Sequence, residues 1–216
     1  MSHVATGVTP LPPLSAQAER LVALGVHDLA GVPPAALRSL ARSSPTRDGL
    51  LVLAETTVPA SALAPLLHLG DSRGFVVEDM TDVDAFAPID GVELPSGPCY
   101  VVHGLERGDE MANWSPDEAL PSIVSAGRSP LTLTEGIHWA LQSPGVLERN
   151  HCFMTIGSRR RKPGGRLDAR TPALWISNGT GRDGRERRGA PNVGWCWAGN
   201  RHTWLGFASG ASRVAL

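Results

Sequence analysis

Val193-Gly194-Trp195-Cys196-Trp197-Ala198-Gly199-Asn200-Arg201-His202-Thr203-Trp204-Leu205-Gly206-Phe207-Ala208 reads as two strands about a turn. Val193 to Ala198 and Thr203 to Ala208 are short apolar runs rich in aromatic residues, and Gly199-Asn200-Arg201 has the composition of a hairpin connection. With a side-chain period of two, Trp195 and Trp197 share one face, and Thr203, Leu205 and Phe207 share another. Upstream, Cys152 to Ile156 and Ala173 to Ser177 read as further strands. The C-terminal third is therefore expected to be antiparallel strands joined by long Arg-rich loops.

Those loops concentrate charge. From Arg149 onward lie 13 of the 20 basic residues and three acids (Asp168, Asp183, Glu186), a local balance of +10; the rest of the chain carries seven basic and 18 acidic residues, or −11, and the overall −1 hides this split. Arg159, Arg160, Arg161 and Lys162 are four adjacent cations that would repel one another in a strand, which predicts a solvated loop. Arg182, Arg185, Arg187 and Arg188 form a second tract. In a simple meander the first run shares a sheet end with the Asn200-Arg201 turn, and the 179–191 loop lies at the other end.

Guanidinium forks match phosphate geometry. These eight cations and Arg201 are therefore candidate phosphate ligands, with Trp195 and Trp197 as stacking platforms and His202 beside them. The implied partner is a nucleic acid or a phosphorylated small molecule. The acidic front of the same chain is an equally natural counter-charge. The ratio of 19 Arg to one Lys also has a plain source in a GC-rich coding sequence.

The front half reads as short helices among strands. A helix is expected from Ala16 to Leu24, capped by Ser15 and stopped by Gly25, and another over residues 33–42 opened by Pro33-Pro34. Leu50 to Ala54 is a buried strand, Ser61 to Leu69 a helix and Gly74 to Asp79 a strand, together the spacing of a parallel crossover. An acidic, turn-rich stretch follows over 80–98, with a helical turn near Val83 to Phe86, and Cys99 to His103 is a third strand. Ser115-Pro116-Asp117-Glu118 opens a helix that stops at Gly127. Thr132 or Thr134 caps another, which ends at Ser143-Pro144-Gly145.

No fixed catalytic signature appears. Gly179-Thr180-Gly181-Arg182-Asp183-Gly184 matches G-x-G-x-x-G, but an arginine tract follows it where a dinucleotide site needs a helix and a later acid. Asn178-Gly179-Thr180 reads as a turn rather than a glycan acceptor. Glu135-Gly136-Ile137-His138 and Glu148-Arg149-Asn150-His151 are E-x-x-H pairs, of which only the first lies on a convincing helix, with no flanking helical Glu to complete a di-iron set. His151, Cys152, Cys196 and His202 fall on neighbouring strands at spacings that fit no zinc module. No metal and no cofactor is expected. His103, His138 and His202 with Glu106, Asp109 and Glu110 would be the raw material of an enzyme cleft.

Gly157-Ser158-Arg159-Arg160-Arg161-Lys162, Ala173-Leu174-Trp175-Ile176-Ser177-Asn178-Gly179, the Ala190 to Ser209 segment and Pro130-Leu131-Thr132-Leu133-Thr134-Glu135-Gly136 together resemble a family of proteins of unknown function confined to actinobacteria. The resemblance runs from about residue 20 onward. It implies a cytosolic bacterial protein and supplies no catalytic residues.

Three cysteines at wide spacing (Cys99, Cys152, Cys196) suit a reducing cytoplasm. No signal peptide and no membrane-spanning run is visible. The expectation is an α+β protein: residues 1–14 an extended lead-in, and residues 15–216 one domain, with a subdivision near 145 as the alternative. A mixed sheet with short helices fills its N-terminal two-thirds. The expected function is a cytoplasmic binding or regulatory protein contacting nucleic acid or a phosphorylated ligand through the Arg-rich loops. The alternatives are an enzyme acting on a small anionic substrate in a His/acid/Arg cleft, or a structural homo-oligomer.

Overall fold

The computed structural model describes residues 10–46 and 48–216, so most of the expected N-terminal lead-in lies outside the described residues. The architecture is α+β. Helices α1 (Leu14–Ala23), α2 (Val26–Leu29) and α3 (Pro34–Ser43) form an N-terminal layer, with Gly25 in the left-handed region at the break between the first two. Then come β1 (Leu50–Leu53), α4 (Ala60–Leu63), the hairpin of β2 (His68–Leu69) and β3 (Ser72–Arg73), β4 (Phe75–Val76), β5 (Phe86–Pro88) and β6 (Cys99–His103). Helix α5 (Pro116–Ser125) is followed by β7 (Ser129–Pro130) and α6 (Leu133–Gln142), and the chain ends in β8 (Cys152–Met154), β9 (Ser158–Arg160), β10 (Arg170–Ile176), β11 (Pro191–Trp197), β12 (Leu205–Phe207), β13 (Ser209–Gly210) and β14 (Ser212–Ala215).

Two sheets organise the molecule, and both interleave the halves of the chain. One is antiparallel, in the order β1-β6-β14, so the C-terminal strand lies beside an N-terminal one. The other is mixed, in the order β12-β8-β10-β11-β4. The expected parallel crossover from β1 to β4 does not form: β1 pairs antiparallel with β6, and β4 runs parallel to β11 at Asn192 and Val193. The helix between them has only four residues before a 3-10 turn, too short to carry a chain back across a sheet. The expected hairpin is also absent. β8, β10 and β11 form the meander, but residues 198–204 then cross the sheet and deliver β12 to the free edge of β8, parallel to it.

The basic run at 158–162 is not a solvated loop. Ser158 to Arg160 pair with Phe86 to Pro88, and Arg161 bridges to Leu167. The repulsion that argued against a strand is cancelled by carboxylates. Arg160 bonds Asp82, Arg161 bonds Asp90 at 2.5 Å, Lys162 lies 3.9 Å from Asp168, and Arg159 donates to the Asp168 carbonyl and reaches Asp117. Arg170 holds Asp82 through two bonds of 2.9 and 2.6 Å and Asp168 through a third of 3.0 Å. Nine of the 13 cations from Arg149 onward stand within ion-pair distance of a carboxylate, eight of them with an acid from the front half. The opposite charges of the two halves are mutual counter-ions.

The two faces of the mixed sheet have different fates. Phe153, Leu174, Ile176 and Val193 join the main core, where α6 packs so closely that a Cβ at Gly136 would overlap Thr155. Met154, Ala173, Leu205 and Phe207 face the other way, against Met111 and the Ala119 and Ile123 stripe of α5. Ser115 opens α5 with a capping box completed by Glu118, and the helix is only ten residues long. It covers one part of this face and leaves the rest open.

Candidate functional site

The open part is a cleft of about 260 Å³. Asn150, His151 and Cys152 supply one side, and Ala173, Trp175, Ile176 and Asn178 the floor. Arg182, Trp195 and Cys196 form the second side; His202, Trp204 and Leu205, from the crossing segment and the start of β12, form the third.

Trp175 is placed by an absence. A Cβ on Gly194 would overlap the far edge of the Trp175 indole, so the ring occupies the space that a side chain on β11 would take. Its Nε1 donates to Asp183 at 3.4 Å, and Asn192 donates to the other oxygen of that carboxylate at 2.9 Å. Asp183 is buried in a short 3-10 turn and ties the 179–184 loop down to the sheet. The neighbouring Arg182 is thereby held over the Trp195 ring, 4.3 Å from its centroid, and 5.8 Å from that of Trp175. It also donates to the Trp195 carbonyl at 2.5 Å and pairs with Asp79 at 3.2 Å. His202 and Trp204 stack with their ring centroids 4.6 Å apart, and Trp204 is 49% exposed.

Cys152 and Cys196 are thiols at neutral pH. Burial pushes Cys152 up to about 12, helped by the proximity of Cys196, and raises Cys196 as well. For Cys196 the nearby Arg182 works against burial, but burial prevails and the thiol stays raised. No Asp or Glu is among the 13 lining residues.

Of the sequence candidates, the cleft gathers Arg182, Trp195 and His202. Arg188 packs against Gly179 at its rim. Trp197 stacks edge-on against Trp195, with centroids 4.5 Å apart. Arg159, Arg160, Arg161 and Lys162 lie at the other sheet end, in the ion pairs already described. Arg187 pairs with Glu78 and lies over Phe75, Arg201 pairs with Glu118, and Arg185 is exposed. Sequence reasoning missed Trp175, Trp204, Asp183, Asn150 and Asn178. Asp183 did leave a signal, as a solitary acid within a tract of arginines. His151 and Cys152 both line the cleft, although adjacent residues of a strand point to opposite faces, because His151 precedes the strand.

The three histidines proposed for an enzyme cleft are not brought together. His103 lies near Thr46, and His202 is in the cleft. His138 is fully buried, accepting from the Leu53 N–H at 3.2 Å and bonding the Thr134 carbonyl at 2.9 Å. With Gln17, which accepts from Leu51, it closes the free edge of β1. Burial holds His138 down at about 4, so the ring is neutral. Its partner in the E-x-x-H pair, Glu135, caps α6 from Thr132, takes two bonds from Arg213 (2.5 and 2.8 Å) and accepts from Tyr100. Among the described residues no group of three or more His, Cys, Asp or Glu side chains converges as metal ligands.

Glu55 stands near this buried carboxylate, and burial first, then the Glu135 charge, push it up to about 7. A folded-state pKa above the unfolded one favours the fold while the group is protonated, and that contribution fades as pH rises from about 4.5 to about 7. Glu55→Gln should therefore raise stability only slightly at pH 5, where the loss has just begun, and by about 1–2 kcal/mol at pH 8, after discounting for partial exposure. Urea melts at the two pH values measure this; an equal effect at both would exclude titration of Glu55 as the cause.

A family model matches residues 20–216 of this chain, and its description is a family of unknown function, DUF5701. The chain belongs to that family. No curated protein and no solved structure matches this family member. Among the described residues no helix is long and apolar enough to cross a membrane. The family carries no assigned chemistry, so the cleft itself must supply the functional argument.

Proposed function

We propose that this protein is a small-molecule binding protein whose cleft takes a flat, negatively charged ligand. The supporting observation is the lining itself: three indoles, an arginine and two histidines around one opening, with no carboxylate among them. Indole faces attract planar rings, and a cationic lining without acids favours anions. Binding is favoured over catalysis because the lining offers no carboxylate base and its two thiols are held protonated. A phosphorylated small molecule suits the site better than a polynucleotide, since most of the basic tract is already engaged by the protein's own acids. Three free cysteines fit a reducing compartment, so the cytoplasm is the setting we assign.

Calorimetric titration with adenosine monophosphate tests this reading. Trp204 is exposed and can be removed without opening the core, so Trp204→Ala should weaken binding by about tenfold, the scale of one lost stacking contact. No heat and no change in tryptophan emission up to about 1 mM, the range of the weakest specific affinities, would refute it.

A further inference from the structure

Among the described residues Arg182 is the one arginine lining the cleft, and it does not offer a free fork. Its guanidinium is sandwiched against Trp195, donates to a main-chain carbonyl and pairs with Asp79. A phosphate entering the cleft would have to compete with all three. Two other arginines stand at the Asn150 and Asn178 end of the opening. Arg149 precedes Asn150, which lines the cleft and holds a left-handed backbone (φ 60°). One Arg149 nitrogen comes within 3.6 Å of the point where Gly189 would carry a Cβ. Gly189 follows Arg188, whose stem packs on Gly179, next to Asn178. Both arginines are exposed, and neither pairs with a carboxylate among the described residues.

We infer that Arg149 and Arg188 form a phosphate subsite at the mouth of the cleft, so that the ligand is an aromatic phosphomonoester of mononucleotide size. Its ring lies between Trp175 and the His202–Trp204 stack, and its phosphate projects past Asn150 and Asn178 to the two forks. This inference rests on the reading of the cleft as a ligand site. The chemistry explains a division of labour: Arg182 supplies a fixed cationic wall within the aromatic floor, while the forks without a protein partner lie outside, where bidentate phosphate contacts can form.

The test compares adenosine, adenosine monophosphate and inorganic phosphate on the wild-type protein, W204A and the double variant R149A/R188A. The monophosphate should bind at least about tenfold more tightly than the nucleoside, consistent with paired charge-assisted bonds, and this advantage should shrink with added salt. R149A/R188A should erase the advantage and leave nucleoside affinity unchanged, whereas W204A should weaken both. Both arginines are exposed, so the double variant should retain the wild-type melting curve. If the advantage survives in R149A/R188A, the anion is read inside the cleft and the subsite is wrong while the cleft reading stands. If none of the three probes binds, the cleft reading falls and the subsite with it.

Discussion

Arg213→Met should lower the free energy of unfolding by about 3–5 kcal/mol, the usual cost of leaving a buried charge without its partner. Glu135 is fully buried, and Arg213, on the last strand, is the cation that meets it. Arg213 also donates to Ser129 and to the Pro130 carbonyl, so one side chain fastens β14 to the start of α6 and to β7. Although burial alone would lower its pKa, the Glu135 bonds raise it above the ordinary arginine value, so its charge is secure. The carboxylate left behind in Arg213→Met would keep only the Thr132 N–H and the Tyr100 hydroxyl as donors. Adding Glu135→Gln should restore part of the loss, because Gln can still close the capping box and carries no charge. Urea denaturation of the two single variants and the double one gives the coupling. A loss below about 1 kcal/mol in Arg213→Met would mean that the pair is solvated in practice, as surface pairs are.

This cluster marks the limit of what the sequence could disclose. The starts of α5 and α6 were legible because a cap is a local event: Ser115 with Glu118, and Thr132 with Glu135, lie within one turn of each other. β6 was legible as a short apolar run. Glu135, by contrast, looked like a candidate metal ligand, because the cation that engages it lies 78 residues away. The lost hairpin has the same origin. A tight turn over Ala198 and Gly199 does follow β11, but β4 already pairs with one edge of β11, and Leu205 and Phe207 gain more by burial under α5 beside β8. Likewise, the cleft could not be read from spacing. It exists because α5 is too short to cover its sheet face and because Gly194 gives up its volume to Trp175. Of the stacking residues named from sequence, Trp195 lines that gap and Trp197 packs against Trp195 beside it.

The basic run extends this argument to the relation between the two halves. Asp82→Ala should lower stability by about 2–3 kcal/mol, the scale of several charge-assisted bonds lost at once. Asp82 is the hub through which Arg160 and Arg170 are neutralised, and Arg170 additionally lies over Phe86, 5.4 Å from its centroid. Hydrogen bonds from Arg170 hold the Asp82 carboxyl below its ordinary range. For Asp168 burial works the other way, but the Arg170 bonds prevail and bring it to about 2. Carboxyls with lowered folded-state values stabilise above their unfolded value near 3.8, and that contribution is lost as pH falls through their folded values. The wild-type protein should thus show a steep acid limb below about pH 4, and Asp82→Ala a shallower one starting from lower stability. Removing the hub also takes the close partner from Arg160 and leaves Arg170 with Asp168 alone, so the variant should be retained longer on a heparin column at low salt. If Asp82→Ala neither destabilises nor gains heparin affinity, the acidic half is not the counter-ion of the basic half, and the tract regains its claim on a polyanionic partner. If both effects appear, most of the net charge of the C-terminal region is structural, and the forks without a carboxylate partner among the described residues are few, Arg149 and Arg188 at the mouth of the cleft among them.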